Sequence, residues 1–242
     1  MRYIKVELKR AILSPAFFIA VIGMAAILVY CANETITKML AGEFLAEDVF
    51  ISSLSLSSLR NETAMFAIPI VAAIPFACGI LDDISSHFIK ELLTRTSKLN
   101  YTVAKIIAVL FSAGLAAVMS IVLFDVTIYI ISALTVGSPL LNAEFFTGFL
   151  KQSGIYFVYF ALWSVMGAIF GTLTDSKCVV YSAPFIFYYI LIIIKDRYLY
   201  NFDAIDPRIW CRGTRGVITI AVLLAAVCLG LYATVRRRLN NV

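Results

Sequence analysis

The chain has 242 residues, of which 62% are hydrophobic and 14% are charged. Soluble domains contain about 45–50% apolar and about 25% charged residues, so this composition excludes an ordinary soluble protein. The net charge of +5 is modest and has little soluble surface to lie on, so we interpret it as contact with anionic lipid headgroups and exclude nucleic-acid binding.

Six apolar runs predict an all-α polytopic membrane protein, because about 20 apolar residues cross a bilayer as a helix. Lipid permits only helices or closed barrels, and these runs are continuous, whereas barrel strands alternate. The third run exceeds what a bilayer requires, so we expect it to tilt or to project. We find no second domain in residues 1–242. The predicted spans are residues 14–32, 64–81, 101–136, 149–173, 178–195 and 216–235.

An amphipathic helix is predicted over residues 1–13, ahead of the first span. Its apolar positions Ile4, Leu8 and Ile12 recur along one helical face, and basic side chains such as Lys9 occupy other faces. A helix of this kind lies in the plane of the membrane, with its cations near the headgroups. After the first span, we expect residues 33–61 to form an outer loop with a short surface helix over residues 37–50.

The distribution of Lys and Arg predicts that both termini lie in the cytoplasm, since cytoplasmic loops carry an excess of these residues. In this orientation, twelve of the 20 Lys and Arg residues fall in inner segments and eight in outer segments. The exception is the outer segment 196–213, whose basic residues stand among aspartates. We expect the chain to be a multi-pass protein of a bacterial plasma membrane.

No catalytic constellation is present, so we do not expect an enzyme. His87 is the single histidine, which excludes a multi-histidine metal site. The sequence has no G-x-x-x-x-G-K-[ST] motif, so it has no P-loop nucleotide site of its own. An intramembrane glutamate-type protease would need histidines and paired acids inside its spans, and the spans predicted here lack both.

Two residues are candidates for a transport route. Asp125 is the one acidic residue well inside a predicted span, and because a carboxylate is costly to bury in lipid, such a residue is a functional candidate by default. The alternative is a shallow position in the outer third, where Asp125 would reach headgroups or Lys151. Trp210 belongs either to an outer gate over residues 196–213 or to an aromatic belt that anchors this loop at the interface.

The five cysteines are scattered without a C-x-x-C pair, and free cysteine in an apolar run behaves as a small hydrophobe. Cys31 and Cys211 both fall on the predicted outer side, which leaves one disulfide open.

The charged, amphipathic segment 82–100 resembles the cytoplasmic coupling loop of permease subunits of type-2 ABC exporters. In that family an acidic residue precedes a short G-T-[LI]-K-x-L-L helix, and a serine–basic pair, a tyrosine and a closing lysine follow. His87 and Phe88 stand where the family usually has Gly-Thr, and its usual proline after the Leu-Leu pair is absent. The matching residues are Asp83 for the acid, residues 89–93 for the helix, and Ser97, Lys98, Tyr101 and Lys105 for the remainder.

The resemblance implies a permease subunit that exports a substrate such as a peptide, drug or lipid. The layout is also similar, with an in-plane N-terminal helix, six spans, both termini inside and a re-entrant outer segment before the last span. Two permease subunits, identical or related, would form the path. ATP and Mg²⁺ would bind to separate ATPase subunits, so this chain needs no cofactor. The implied ATPase-coupling residues are Asp83, Ile84, His87, Phe88, Ile89, Lys90, Glu91, Leu92 and Leu93.

One rival class remains open beside the exporter. A membrane immunity or sensor protein that works without a motor would have the same composition and spans, and co-purification with an ATPase would distinguish the two.

Overall fold

The computed structural model describes residues 2–41, 51–86, 89, 92, 96–135, 143–199 and 201–240. These residues form helices joined by turns and contain no strand, so the all-α prediction is confirmed for them. The segment between α9 and α10 contains a short 3₁₀ turn, Asp203–Ile205. The helices are α1 (Arg2–Ile12), α2 (Pro15–Cys31), α3 (Asn33–Leu40), α4 (Ile51–Arg60), α5 (Glu62–Ala73), α6 (Gly79–Ser85), α7 (Lys98–Thr135), α8 (Ala143–Thr174), α9 (Lys177–Arg197) and α10 (Gly213–Asn240).

Four of the described helices, α7 to α10, are long and apolar enough to cross a membrane. They correspond to the last four predicted spans, and each extends beyond its predicted range at one end or both. Helices α1 and α2 meet this criterion together, with a bend of 49° between them. The bend lies where Ser14 caps α2 by accepting a hydrogen bond from the Phe17 amide, and Pro15 takes the first helical position, as expected at a helix start.

The second predicted span, residues 64–81, is not one continuous helix. Helix α5 ends at Ala73, a turn follows, and α6 begins at Gly79. The physical reason is Pro75, which has no amide hydrogen to donate and whose ring crowds the preceding turn. The adjoining amides of Ile74 and Gly79 donate to carbonyls only three residues back, which is the tighter geometry typical of a helix end.

Helix α8 is the centre of the bundle and contacts α5, α7, α9 and α10. Its aromatic side chains Tyr156, Tyr159 and Trp163 are buried. At the other extreme, α10 leaves Val222 and Leu229 largely exposed, which is a surface that lipid or another helix would cover.

The segment after α2 is more ordered than the outer loop expected from the sequence. It contains α3 and also α4, a helix that the sequence did not predict, and α4 packs against α7 and buries Leu59. The predicted surface helix over residues 37–50 is represented by the end of α3, whereas residues 42–50 lie outside the described residues.

Candidate functional site

The structure gathers the predicted inner segments at one end of the bundle, which we call the basic end. It consists of α1, α6, the start of α7, the turn between α8 and α9, and the last turn of α10. Ion pairs and a hydrogen bond cross between these elements: Lys177 to Asp82 at 2.6 Å, Arg238 to Asp175 at 2.7 Å, and Lys98 Nζ to the Leu239 carbonyl at 2.8 Å.

Lys105 lies at the centre of the basic end and is 0% exposed. Its ammonium Nζ lies 2.7 Å from Glu7 Oε2, on α1, and 2.7 Å from Asp83 Oδ2, on α6. Both carboxylates are themselves buried. A buried charge is costly unless it is paired and hydrogen-bonded, so Lys105 holds α1 and α6 against α7 through charge-assisted hydrogen bonds.

Three further side chains complete this cluster. Arg10 Nη1 donates to Asp83 Oδ1 at 2.9 Å, Tyr101 Oη donates to Asp83 Oδ2 at 3.1 Å, and Tyr3 Oη donates to Glu7 Oε1 at 3.0 Å. The two carboxylates thus face two cations, and each carboxylate also accepts a phenolic hydrogen bond. We call these residues the buried ion cluster; they are Tyr3, Glu7, Arg10, Asp83, Tyr101 and Lys105.

Sequence reasoning identified one face of α1 and missed another. The apolar positions Ile4, Leu8 and Ile12 are half-buried, whereas Glu7 and Ala11 are fully buried and face the bundle. Tyr3, Glu7 and Ala11 recur at i, i+4 spacing, so they share a helical face. A lone acid among the basic residues of an amphipathic helix was the signal that could have identified this contact.

The coupling residues implied by the resemblance are described only in part. Asp83 belongs to the buried ion cluster, and Ile89 is 2% exposed and packs in an apolar cluster with Ala11, Tyr101 and Leu239. Ile84 and Leu92 are half-buried against the same apolar cluster. Of the remaining positions, His87, Phe88, Lys90, Glu91 and Leu93 lie outside the described residues.

Asp125, on α7, is buried with 7% exposure. It accepts a hydrogen bond from Ser55 Oγ, on α4. The sequence offered Lys151 or lipid headgroups as partners, and it missed Ser55 because α4 was not predicted. Among the described residues, no cation pairs with Asp125 to offset its burial, which distinguishes it from the acids of the buried ion cluster.

Trp210 reaches into the bundle from the segment between α9 and α10. Its ring stacks on Trp163, near the middle of α8, with centroids 6.2 Å apart and planes inclined by 14°. Its Nε1 donates to the Ala204 carbonyl at 2.8 Å, and Tyr159 donates to the Pro207 carbonyl at 3.2 Å. An apolar cavity of about 300 Å³ lies beside the tryptophan pair, and its lining includes Phe187, Leu191 and Leu223.

An ion pair holds this segment in place. Arg208 Nε donates to Asp206 Oδ1 at 2.9 Å, and Arg208 Nη2 also reaches Asp196 at 2.7 Å. Burial of Asp206 acts to raise its pKa, but the hydrogen bonds and charge of Arg208, assisted by Lys195, hold that pKa below its usual value. Asp196 and Asp206 thus offset the charges of Arg208 and Lys195, two of the basic residues that contradicted the orientation rule in this segment.

Cys31 and Cys211 are both free thiols, so the structure contains no disulfide between them. Among the described residues, no group of three His, Cys, Asp or Glu side chains is placed to hold a metal ion.

No protein-family model, curated protein or solved structure matches the chain.

Proposed function

We propose that this chain is the membrane-spanning permease subunit of an ATP-driven ABC exporter, and that a separate ATPase subunit binds at the basic end. The observation that carries the proposal is the buried ion cluster, because it joins the base of segment 82–100 to α1 and α7. A partner that moves this segment would therefore act on two helices at once.

The energetics of the cluster favour transmission of such a movement. Removing one partner from a buried ion pair costs about 3–5 kcal/mol, so Asp83 stays with Lys105 while the segment moves. Helix α7 has 38 residues and is therefore about 57 Å long at 1.5 Å per residue. It extends from Lys105 at the basic end to Asp125 and beyond, so one rigid element links the proposed ATPase side to the opposite side.

The tryptophan pair indicates which kind of cargo the chain would export. The cavity beside Trp163 and Trp210 has an apolar lining, which fits an apolar or amphipathic cargo such as a peptide, drug or lipid. In the proposed arrangement in a bacterial plasma membrane, α1 lies in the membrane plane, six spans follow with α2 and α5–α6 as the first two, and the basic end is in the cytoplasm. A second permease subunit, identical or related, would complete the path.

The experiment that tests this function is co-expression and reconstitution with ABC ATPase subunits from the same genome, beginning with any whose gene adjoins that of this chain. The chain alone should hydrolyse no ATP, whereas the two proteins should co-purify as a detergent-resistant assembly in which the ATPase activity changes on reconstitution into lipid. ATP turnover by the chain alone would contradict the proposal. Failure of the two proteins to assemble would favour a motor-independent immunity or sensor protein.

A further inference from the structure

A second cavity, distinct from the one beside the tryptophan pair, lies at the end of the bundle opposite the basic end. Its volume is about 330 Å³, and it lies open on one side between α4, α8 and the residues around the start of α10. Two cationic side chains, Arg60 and Lys151, line it. No acidic side chain is among its described lining residues.

The cavity also contains a buried hydrogen-bond donor without a partner. Gln152 is 7% exposed, and its Nε2 makes no hydrogen bond with the described residues. A buried amide donor without a partner is unfavourable, so an acceptor supplied by a ligand would stabilise it. Two cations and an unpaired donor in one cavity are the complement of an anionic group with several oxygen atoms.

The surroundings of the cavity favour a ligand that comes from the membrane. Leu56 and Ile155 line it beside the cations, and Phe146 and Leu150 lie exposed nearby on α8. Apolar surface of this kind at a helix end faces acyl chains, whereas the cations lie at the depth of the headgroups. Basic pockets between membrane helices are sites for anionic headgroups.

We propose that this cavity binds the phosphate of an anionic phospholipid headgroup, with Arg60 and Lys151 contacting the phosphate oxygens and Gln152 donating a hydrogen bond. This site does not depend on the proposed function, because lipid binding is measured on the chain without an ATPase or a cargo.

The test is native mass spectrometry of the full chain in detergent, titrated with dioctanoyl-phosphatidylglycerol. We expect Arg60→Gln and Lys151→Gln each to raise the dissociation constant about tenfold, as loss of a charge-assisted hydrogen bond does. Gln152→Leu should raise it severalfold. Arg197→Gln is the matched control, because it removes one exposed cation at the same end of the bundle that does not line the cavity.

Two further ligands distinguish the source of the phosphate. Dioctanoyl-phosphatidylcholine should bind more weakly, because its choline cation faces Arg60 and Lys151, and inorganic phosphate at equal concentration should not displace phosphatidylglycerol. Equal binding of the two lipids, displacement by inorganic phosphate, or wild-type affinity in both cation variants would each overturn the proposal. Because both cations are exposed, neither substitution disturbs the core, and thermal unfolding without lipid verifies this for each variant.

Discussion

Lys105 Nζ lies 2.7 Å from Asp83 Oδ2, and the two side chains are 0% and 1% exposed. This ion pair fixes α7 to α6, the helix that contains the start of segment 82–100. Because Glu7 contacts the same ammonium, the pair also holds α1, so three elements that are distant in the sequence share one buried charge. The arrangement is stable only while each charge keeps its partners.

Removal of the central cation should destabilise the chain strongly. Lys105→Met leaves the carboxylates of Glu7 and Asp83 buried beside each other, and we expect a loss of about 3–5 kcal/mol in the free energy of unfolding. The measurement is unfolding of the purified chain in detergent. The matched control is Lys98→Met on the same helix, an exposed side chain that loses its hydrogen bonds to α10 and should cost less than about 1 kcal/mol. Equal losses in the free energy of unfolding of the two variants would show that the buried ion pairs stabilise the chain no more than an exposed contact does.

The compensating variant separates charge from packing. Lys105→Met combined with Glu7→Gln and Asp83→Asn replaces the buried charges with neutral groups of similar size. Since neutral replacement of a buried ion pair is often tolerated, the triple variant should recover most of the lost stability. If it is as unstable as the single variant, shape rather than charge determines the contact.

Hydropathy and local periodicity predicted the elements that depend on nearby residues. Helix α1 and the four long helices α7 to α10 lie where the apolar runs placed them. The apolar run 64–81 predicted one span and did not show the break at Pro75, because a proline in such a run gives either a kink or a break. Helix α4 was missed because its serine-rich sequence has little hydropathy signal.

The contacts of the site could not be predicted in the same way. Glu7 and Lys105 are far apart in the sequence, and composition reports neither their partners nor their distance. The hydrogen bond from Ser55 to Asp125 depends on α4 packing against α7. Within the buried ion cluster, only Asp83, Tyr101 and Lys105 were identified from the sequence, through the resemblance, and their mutual contacts required the fold.

ATPase binding should depend on the apolar residues of segment 82–100. We expect Phe88→Asp to abolish capture of the ATPase, because an unpaired charge in an apolar contact costs about 2–5 kcal/mol. Leu92→Asp should do the same, but Leu92 is half-buried against an apolar cluster within the chain, so its unfolding temperature must be measured as well. The matched control is Ser85→Asp, an exposed residue at the end of α6. Normal capture by Phe88→Asp and Leu92→Asp would exclude this segment as the coupling element.

Acid should release the segment that carries Trp210. The pKa of Asp206 is held below its usual value by Arg208 despite burial, so its ion pair stabilises the fold above the unfolded pKa of about 3.9. This stabilisation is lost as the pH falls through the lower folded pKa. We expect the emission of Trp163 and Trp210, the two tryptophans of the chain, to shift to the red only below about pH 4.

Substitution of Asp206 tests whether this residue causes the pH dependence. Asp206→Asn should show a red-shifted emission already at neutral pH, since Arg208 loses its charged partner. Asp203→Asn, an exposed change in the adjoining 3₁₀ turn, should leave the wild-type profile intact. A transition near neutral pH in the wild-type chain would assign the movement to another group.

Thiol labelling tests the orientation of the bundle. Single cysteines at Asn33 and Asp203 should react with an impermeant reagent added to intact cells, whereas cysteines at Ser97 and Asp175 should react only after permeabilisation. Asp175 and Ser97 lie at the basic end, which the positive-inside rule places in the cytoplasm. The native Cys178 is exposed beside Asp175, so it must be replaced by serine in these variants. Labelling of Ser97→Cys from outside would invert the topology.

Asp125 tests whether a buried carboxylate on α7 takes part in transport. Asp125→Asn removes the charge but keeps the size of the side chain and an oxygen that accepts a hydrogen bond from Ser55. An ionisable group inside a span costs a few kcal/mol even on translocon-insertion scales, so the neutral variant should fold at least as well as the wild type. We expect its assembly with the ATPase and its basal ATP hydrolysis to be near normal, while export of the cognate cargo into inverted membrane vesicles falls. Val126→Ala, an exposed neighbour on the same helix, is the control and should leave export unchanged. If the Asn variant exports at the wild-type rate, Asp125 serves only to hold α4 against α7.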